Sequence, residues 1–161
     1  METASPRLLQ QLHPKIRNQA LAAWMDACAA TPKPVHPQIV ETLRTFERSD
    51  HLFQLGRTII NPDGQSKSNP MGGIVTYAKG GQSLHNYGLA LDLVMMVNGK
   101  EDWTINIKVV EIFKAHGFAW GGDWKKKDSP HFQMALGHTW QDLLKMHDNK
   151  EFITGTNYLN I

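Results

Sequence analysis

Two short segments constrain this chain more than anything else in it. The first reads Ser83-Leu84-His85-Asn86-Tyr87-Gly88-Leu89-Ala90-Leu91-Asp92, and the second Asp128-Ser129-Pro130-His131-Phe132-Gln133. Between them they supply two imidazoles, one carboxylate at close range and a second carboxylate three residues before the last histidine. Two histidines and one acid occupy three positions on a zinc ion and leave a fourth open, as a hydrolytic site requires. The second acid, Asp128, is then free to move protons. A fold that uses both segments as one metal site has to bring His85, Asp92 and His131 to one point.

Alternation shows how that happens. Leu89, Leu91 and Leu93 share one face of a strand over residues 89–96, and Ala90 and Asp92 share the other. A second strand over 131–135 directs Phe132 and Met134 to the core, and His131 and Gln133 to the opposite side. Paired antiparallel, the two strands place Asp92 and His131 on facing positions about 5 Å apart at the backbone. His85 lies in the turn before the first strand, Gly88 lets the chain bend between the two ligands, and Ala90 leaves room. Ser83 is positioned to hydrogen-bond the ligand shell or to contact substrate. Each part also has a plain structural reading. The His-x6-Asp spacing is weak alone, and Asp128 before Ser-Pro can simply start a turn.

The rest of the chain supplies a frame. Residues 6–30 carry an apolar stripe of helical period, divided by Pro14. The prolines at 32, 34 and 37 predict a loop over 31–37. Residues 39–46 read as a strand bearing Arg44, and about 47–55 as a helix closed by Gly56. Residues 57–82, rich in Gly, Pro, Asn and Ser, are too long for an ordinary connection and run straight into His85; they are read as a wall or lid, with a surface loop as the alternative. Asn98-Gly99 makes a turn, 103–116 a helix capped by Asp102, 118–120 a short strand, 139–147 a last helix and 157–161 a terminal strand. The fold class expected is α+β, a small antiparallel sheet carrying the metal site with helices on its other face, in one domain over residues 1–161.

Composition excludes several classes. The chain has 161 residues, 41% of them hydrophobic, enough for one core. A net charge of +2 gives no basis for nucleic-acid binding. The cluster Lys125-Lys126-Lys127 reads as a solvated turn. One cysteine, Cys28, rules out an internal disulfide; on a helix among Ala and Met it reads as an inert thiol. No run approaches the roughly 20 apolar residues of a membrane span, and the first residues lack the pattern of a secretory signal. The expectation is a monomer made in the cytoplasm.

The two segments resemble the zinc D-alanyl-D-alanine carboxypeptidase and L-alanyl-D-glutamate endopeptidase family, which includes small phage endolysins. The first fits the family pattern Ser-x-His-x-x-Gly-x-Ala-x-Asp at every specified position. The second fits acid-x-x-His and follows a family-like Gly117-Phe118-Ala119-Trp120-Gly121-Gly122-Asp123-Trp124. Leu43-Arg44-Thr45 and Gln54-Leu55-Gly56-Arg57-Thr58 are also similar, so the resemblance spans about residues 39–135. It implies a hedgehog-like, D,D-peptidase-like fold, zinc held by His85, Asp92 and His131, Asp128 as general base, and Arg44 near the substrate carbonyl or carboxylate. The shorter acid at 128 resembles the endopeptidase branch, where the carboxypeptidases carry Glu. Ser49 departs from the pattern, standing where relatives often carry Gln. Trp120, Trp124 and Tyr87 can line a substrate cleft or serve as packing.

The resemblance implies hydrolysis of a peptide bond in the peptidoglycan stem, most naturally L-Ala–D-Glu, by an endolysin that reaches the cell wall after release. Trimming of the terminal D-Ala is the alternative. A zinc-holding wall-binding module without catalysis is a third reading, against which the intact Asp128 argues.

Overall fold

The computed structural model describes residues 4–161. In chain order its elements are α1 (Ala4–Leu9), α2 (Pro14–Ala30), β1 (Val35–Glu41), α3 (Phe46–Gln54), β2 (Ala90–Val97), β3 (Lys100–Asp102), α4 (Ile107–Ala115), β4 (Ala119–Trp120), β5 (His131–Gln133) and α5 (Trp140–Asp148), with one-turn 3-10 helices at Leu84–Tyr87 and Gly121–Asp123. The strands form an antiparallel sheet in the order β1-β2-β5-β4, with β3 folded back on the far half of β2. This is the α+β architecture expected.

The helices α1, α2 and α4 cover one face of the sheet. Leu12, Ile16, Ala20, Ala23 and Ala27 from the N-terminal helical segment meet Leu91, Leu93 and Phe132 from the strands and Val109, Val110 and Phe113 from α4 in one buried cluster. Burying such side chains stabilises by roughly 1.5–3 kcal/mol each, before entropy is counted. Pro14 begins α2 at the first helical position, where its missing N–H costs nothing.

Several boundaries differ from the sequence reading. The strand expected over 39–46 runs instead over Val35–Glu41, so Arg44 lies in the loop beyond it. The prolines are compatible with a strand because β1 lies at the sheet edge, with β2 its only strand partner among the described residues. An edge strand tolerates Pro37 without losing a needed N–H. The helix expected over 103–116 starts at Ile107 and is capped by Asn106, whose side chain accepts from the Lys108 N–H. Asp102 instead ends β3, the return arm of the Asn98-Gly99 hairpin. The terminal strand reduces to one bridge, Phe152 to Leu159. Residues 57–82 form no helix or strand beyond a bridge at Ile59, as expected of a loop.

His13 ties this frame shut. It is fully buried, its Nδ1 accepts from the Lys15 N–H as the cap of α2, and its Nε2–H donates to the Leu159 carbonyl at 2.9 Å. The ring must therefore be neutral. Burial pushes its pKa below 6.5, opposed by the Leu159 bond and reinforced by Lys15 and Arg17. A folded-state pKa below the unfolded value means that the unfolded chain takes the proton first. The His13 contribution is thus whole above about pH 6.5 and is lost as pH falls toward the lowered value. Urea unfolding at pH 7.5 and 5.5 should show wild type losing more stability between the two than His13→Asn, since the difference between the proteins cancels what other groups contribute.

Candidate metal centre and cleft

The ligand positions follow from local chemistry. Ser83 caps the 3-10 turn, its Oγ accepting from the His85 N–H at 3.3 Å, and Asn86 closes the box. Gly88 ends that turn at φ 69°, in the left-handed region, and a Cβ there would lie 2.8 Å from the His13 nitrogen. Glycine is needed at this position on both counts. The chain then enters β2, where Asp92 pairs directly with His131 of β5.

Three atoms converge: His85 Nε2 and Asp92 Oδ1 are 3.2 Å apart, His85 Nε2 and His131 Nδ1 3.1 Å, and His131 Nδ1 and Asp92 Oδ1 3.4 Å. These are the edges of a tetrahedral face, about 3.3 Å for ligands some 2.0 Å from a zinc ion. The outer ring nitrogens are spoken for. His85 Nδ1 lies 2.7 Å from the Thr42 carbonyl, which can only accept, so the proton is on Nδ1 and the lone pair on Nε2. His131 Nε2 meets Gln133 Oε1 at 3.0 Å, which leaves its Nδ1 lone pair facing inward. Two lone pairs and a carboxylate thus point at one another, an arrangement that a cation resolves. Backing each imidazole with an oxygen acceptor is how metal-binding histidines are oriented.

Charge tells the same story. Burial pushes the Asp92 carboxyl up, but the attraction and hydrogen bonds that His85 and His131 supply when protonated outweigh it, and Asp92 ends well below the usual carboxylate range. Burial pushes His131 down, but bonding and attraction to Asp92 carry it above 6.5. The pocket favours positive charge beside Asp92.

The trio sits in a cleft of about 550 Å³, with Arg44, Ser83, Trp124 and Asp128 also on its walls. Desolvation by the cleft wall raises the Asp128 carboxyl, an effect His131 opposes and Asp92 reinforces. The residue still meets solvent, so this is a partial loss of water. Its position depends on Gly121: the Asp128 N–H donates to the Gly121 carbonyl at 2.9 Å, and a Cβ on Gly121 would meet the Asp128 carbonyl at 2.4 Å. Arg44 bonds Glu41 and lies 3.6 Å from Asp92 Oδ2, while its buried Nε has no partner among the described residues.

Of the three aromatic residues read as cleft lining or packing, two do not line the cleft. Tyr87 is buried, its hydroxyl donating to the Gly81 carbonyl at 2.7 Å and its ring against Phe46. Trp120 donates to the Ser129 carbonyl at 2.7 Å and packs on Phe132, which fixes the turn leading into His131. Both are packing residues. Trp124 does face the cleft, its ring 5.1 Å from that of His131. The loop 57–82 supplies the facing wall through Val75, Thr76, Tyr77, Ala78 and Gln82. Lys126 stands over the Tyr77 ring, joining the two walls.

Three residues with supporting roles escaped the sequence reading. Alternation puts Gln133 on the site face without indicating a role, and nothing in the sequence marks Glu41. Asn86 lies inside the first motif at a position the family pattern leaves open. Its Nδ2 donates to the Arg44 carbonyl at 3.0 Å and to Ser49 Oγ at 2.9 Å, while its Oδ1 accepts from the Gly81 N–H at 3.0 Å. Ser49, which departs from the family pattern, is therefore buried scaffold and touches no part of the cleft.

Comparison with known proteins agrees with this geometry. A family profile described as D-alanyl-D-alanine carboxypeptidase matches residues 76–134, the stretch from the loop wall through both motifs. The peptidoglycan L-alanyl-D-glutamate endopeptidase CwlK of Bacillus subtilis (strain 168) is 40% identical over 139 residues, covering 76% of this chain and 73% of CwlK. The crystal structure of the Serratia marcescens L-Ala D-Glu endopeptidase ChiX shares the fold, with a TM-score of 0.58 over 89% of this chain and 92% of ChiX, at 22% identity. With the ligand trio, its backing acceptors and the open cleft in place, this likeness assigns the chain to the D-alanyl-D-alanine carboxypeptidase and L-alanyl-D-glutamate endopeptidase family of peptidases.

Proposed function

We propose that this chain is a zinc-dependent peptidoglycan endopeptidase that hydrolyses the bond between L-Ala and D-Glu of the stem peptide. The observation that carries the reading is the inward convergence of three lone-pair donors, His85 Nε2, Asp92 Oδ1 and His131 Nδ1, at the floor of an open cleft. The 40% identity to CwlK supports the choice of bond. The description of the matching family profile favours a second reading, removal of a terminal D-Ala. Mass spectrometry of digested peptidoglycan separates the two: new N-terminal D-Glu supports endopeptidase action, and free D-Ala supports the alternative.

Zinc bound by the trio would polarise the scissile carbonyl and acidify the attacking water. The protein's own residues then divide the work. Asp128, a carboxylate held on the cleft wall by Gly121, accepts the proton of that water and returns it to the departing amine. Partial desolvation raises its basicity above that of an ordinary aspartate. Arg44, fixed by Glu41 and Asp92, offers positive charge to the oxyanion. Thr42 and Gln133 hold the two imidazoles in the tautomers that face the metal.

Proton transfer and metal holding separate experimentally. Protein purified without added metal should carry about one zinc per chain. Asp128→Asn should keep zinc and fold, yet lose on the order of 10²-fold or more in turnover. Asp92→Asn and His131→Ala should lose metal as well. Zinc content and hydrolysis measured on the same preparations decide it, and an Asp128→Asn protein stripped of metal would make Asp128 a ligand or a structural residue.

Arg44→Lys tests the oxyanion role. Lysine keeps the charge but not the planar guanidinium, whose Nη2 bonds Glu41 and faces Asp92 and whose remaining N–H groups could meet the oxyanion. Turnover should fall by about 10-fold or more with zinc content unchanged. Wild-type turnover would reduce Arg44 to a structural ion pair.

A further inference from the structure

We propose that Arg48 is a specificity-determining residue that binds the free α-carboxylate of D-Glu on the leaving side of the scissile bond. The inference rests on the L-alanyl-D-glutamate reading above and names the group by which the substrate is distinguished. In the stem, D-Glu is joined onward through its side-chain carboxyl, so its α-carboxylate remains free. That carboxylate hangs from the carbon bonded to the scissile nitrogen. It must therefore come to rest on the cleft wall next to the metal ligands.

Of the two guanidinium groups on that wall, one is engaged with the carboxylates and the other is open. Glu41, Asp92 and Asp128 are its carboxylates, and Arg44 and Arg48 its guanidinium groups. Arg44 is committed: it bonds Glu41, approaches Asp92 at 3.6 Å and has only 10% of its side chain exposed. Arg48 has 56% exposed, and its sole ionic approach among the described residues is Nε to Glu41 Oε1 at 3.9 Å, too long for a hydrogen bond. Its two terminal NH₂ groups have no partner among those residues. It reaches the ligand set through Glu41 and Arg44, so it borders the place where the leaving residue must lie. On the opposite wall, Lys126 is occupied over the Tyr77 ring. A guanidinium with a free fork is the group that binds a carboxylate with two parallel hydrogen bonds.

The sequence around Arg48 breaks local rules in a way that supports a functional purpose. Thr45 caps α3, and its side chain accepts from the Arg48 N–H at 3.1 Å. Arg48 thus holds the third helical position, where Glu or Gln would reach back and complete a capping box. A cation in the first turn also opposes the helix dipole. A residue that forgoes both local gains while opening onto the cleft is where function is expected to override helix stability.

The test uses two synthetic stem peptides, identical except that D-Glu carries an α-carboxylate in one and an α-carboxamide in the other. Wild type should cleave the carboxylate peptide with the higher kcat/KM, by about 10-fold or more, the scale of one charge-assisted bond. Arg48→Gln should bring that ratio close to one, chiefly by raising KM for the carboxylate peptide. Arg48→Lys should give an intermediate ratio. Zinc content should stay near wild type in both variants, and thermal unfolding, followed in parallel, should not fall below it, since Gln can complete the box with Thr45. A wild-type enzyme with no preference, or an Arg48→Gln variant that loses both peptides equally, overturns the proposal while leaving the choice of bond intact. Cleavage of neither peptide by wild type overturns the choice of bond and this proposal with it.

Discussion

The pairing of Asp92 with His131 across β2 and β5 governs the rest of the site. Strand side chains alternate with a period of two, so a one-residue slip would send one ligand into the helical core and bring a leucine or phenylalanine to the metal. The same pairing that sets Asp92 opposite His131 sets Leu91 opposite Phe132. Those two side chains are fully buried with Phe113 and the alanines of α2. Hydrophobic burial on one face therefore fixes ligand register on the other. The energy that holds the three converging side chains in place comes largely from residues that never approach them.

His85 enters by a different route, and here polar chemistry replaces packing. Its turn is too short to have a core of its own, so hydrogen bonds hold it. Ser83 and Asn86 cap the turn, and the Arg44 N–H donates to the His85 carbonyl at 3.0 Å. The Thr42 carbonyl fixes the ring from the other side. The short loop 42–45 after β1 thus does two things. It presents the acceptor that selects the His85 tautomer, and it carries the arginine beside Asp92. Asn86 ties both to α3 through Ser49. Loss of that amide would leave several buried polar groups unpaired at once, which is costlier than the bonds themselves.

How much of this was legible in the sequence depends on the length scale of the cause. The convergence of His85, Asp92 and His131 and the facing of Asp92 and His131 could be read because alternation and motif spacing are local. The α+β class followed from the same patterns. The edge position of β1 was not readable, since it depends on which strands find partners, and so Pro37 argued wrongly for a loop and Arg44 was placed on the strand. Tyr87 and Trp120 were ambiguous for a related reason. An amphipathic aromatic serves a cleft or a core equally well, and only the Gly81 and Ser129 carbonyls decide which. Gln133 shared a face with His131 in the sequence reading, but its role appears only once the ring nitrogen it binds has a direction.

The two walls of the cleft are built from unlike materials, and this bears on how substrate is held. The wall carrying His131 is rigid: Gly121, Asp128 and Trp120 are locked by backbone bonds to a two-strand corner. The facing wall is the loop 57–82, which has no ladder and relies on anchors at a few points. Arg57 donates to the Thr76 carbonyl at 3.0 Å and Asn61 to the Gly73 carbonyl at 2.7 Å within the loop, and Asp50 of α3 anchors it from outside by accepting from the Gly80 N–H at 2.7 Å. Ile74, Val75 and Tyr77 stay exposed along it. Segments with few buried contacts are those that open and close at low cost. The arrangement puts His131 and Asp128 on the stiff wall and leaves Val75, Thr76 and Tyr77 on the softer one. Arg48 stands beside Arg44 at the start of α3, close to where the two materials meet, on an element firm enough to set a carboxylate in place.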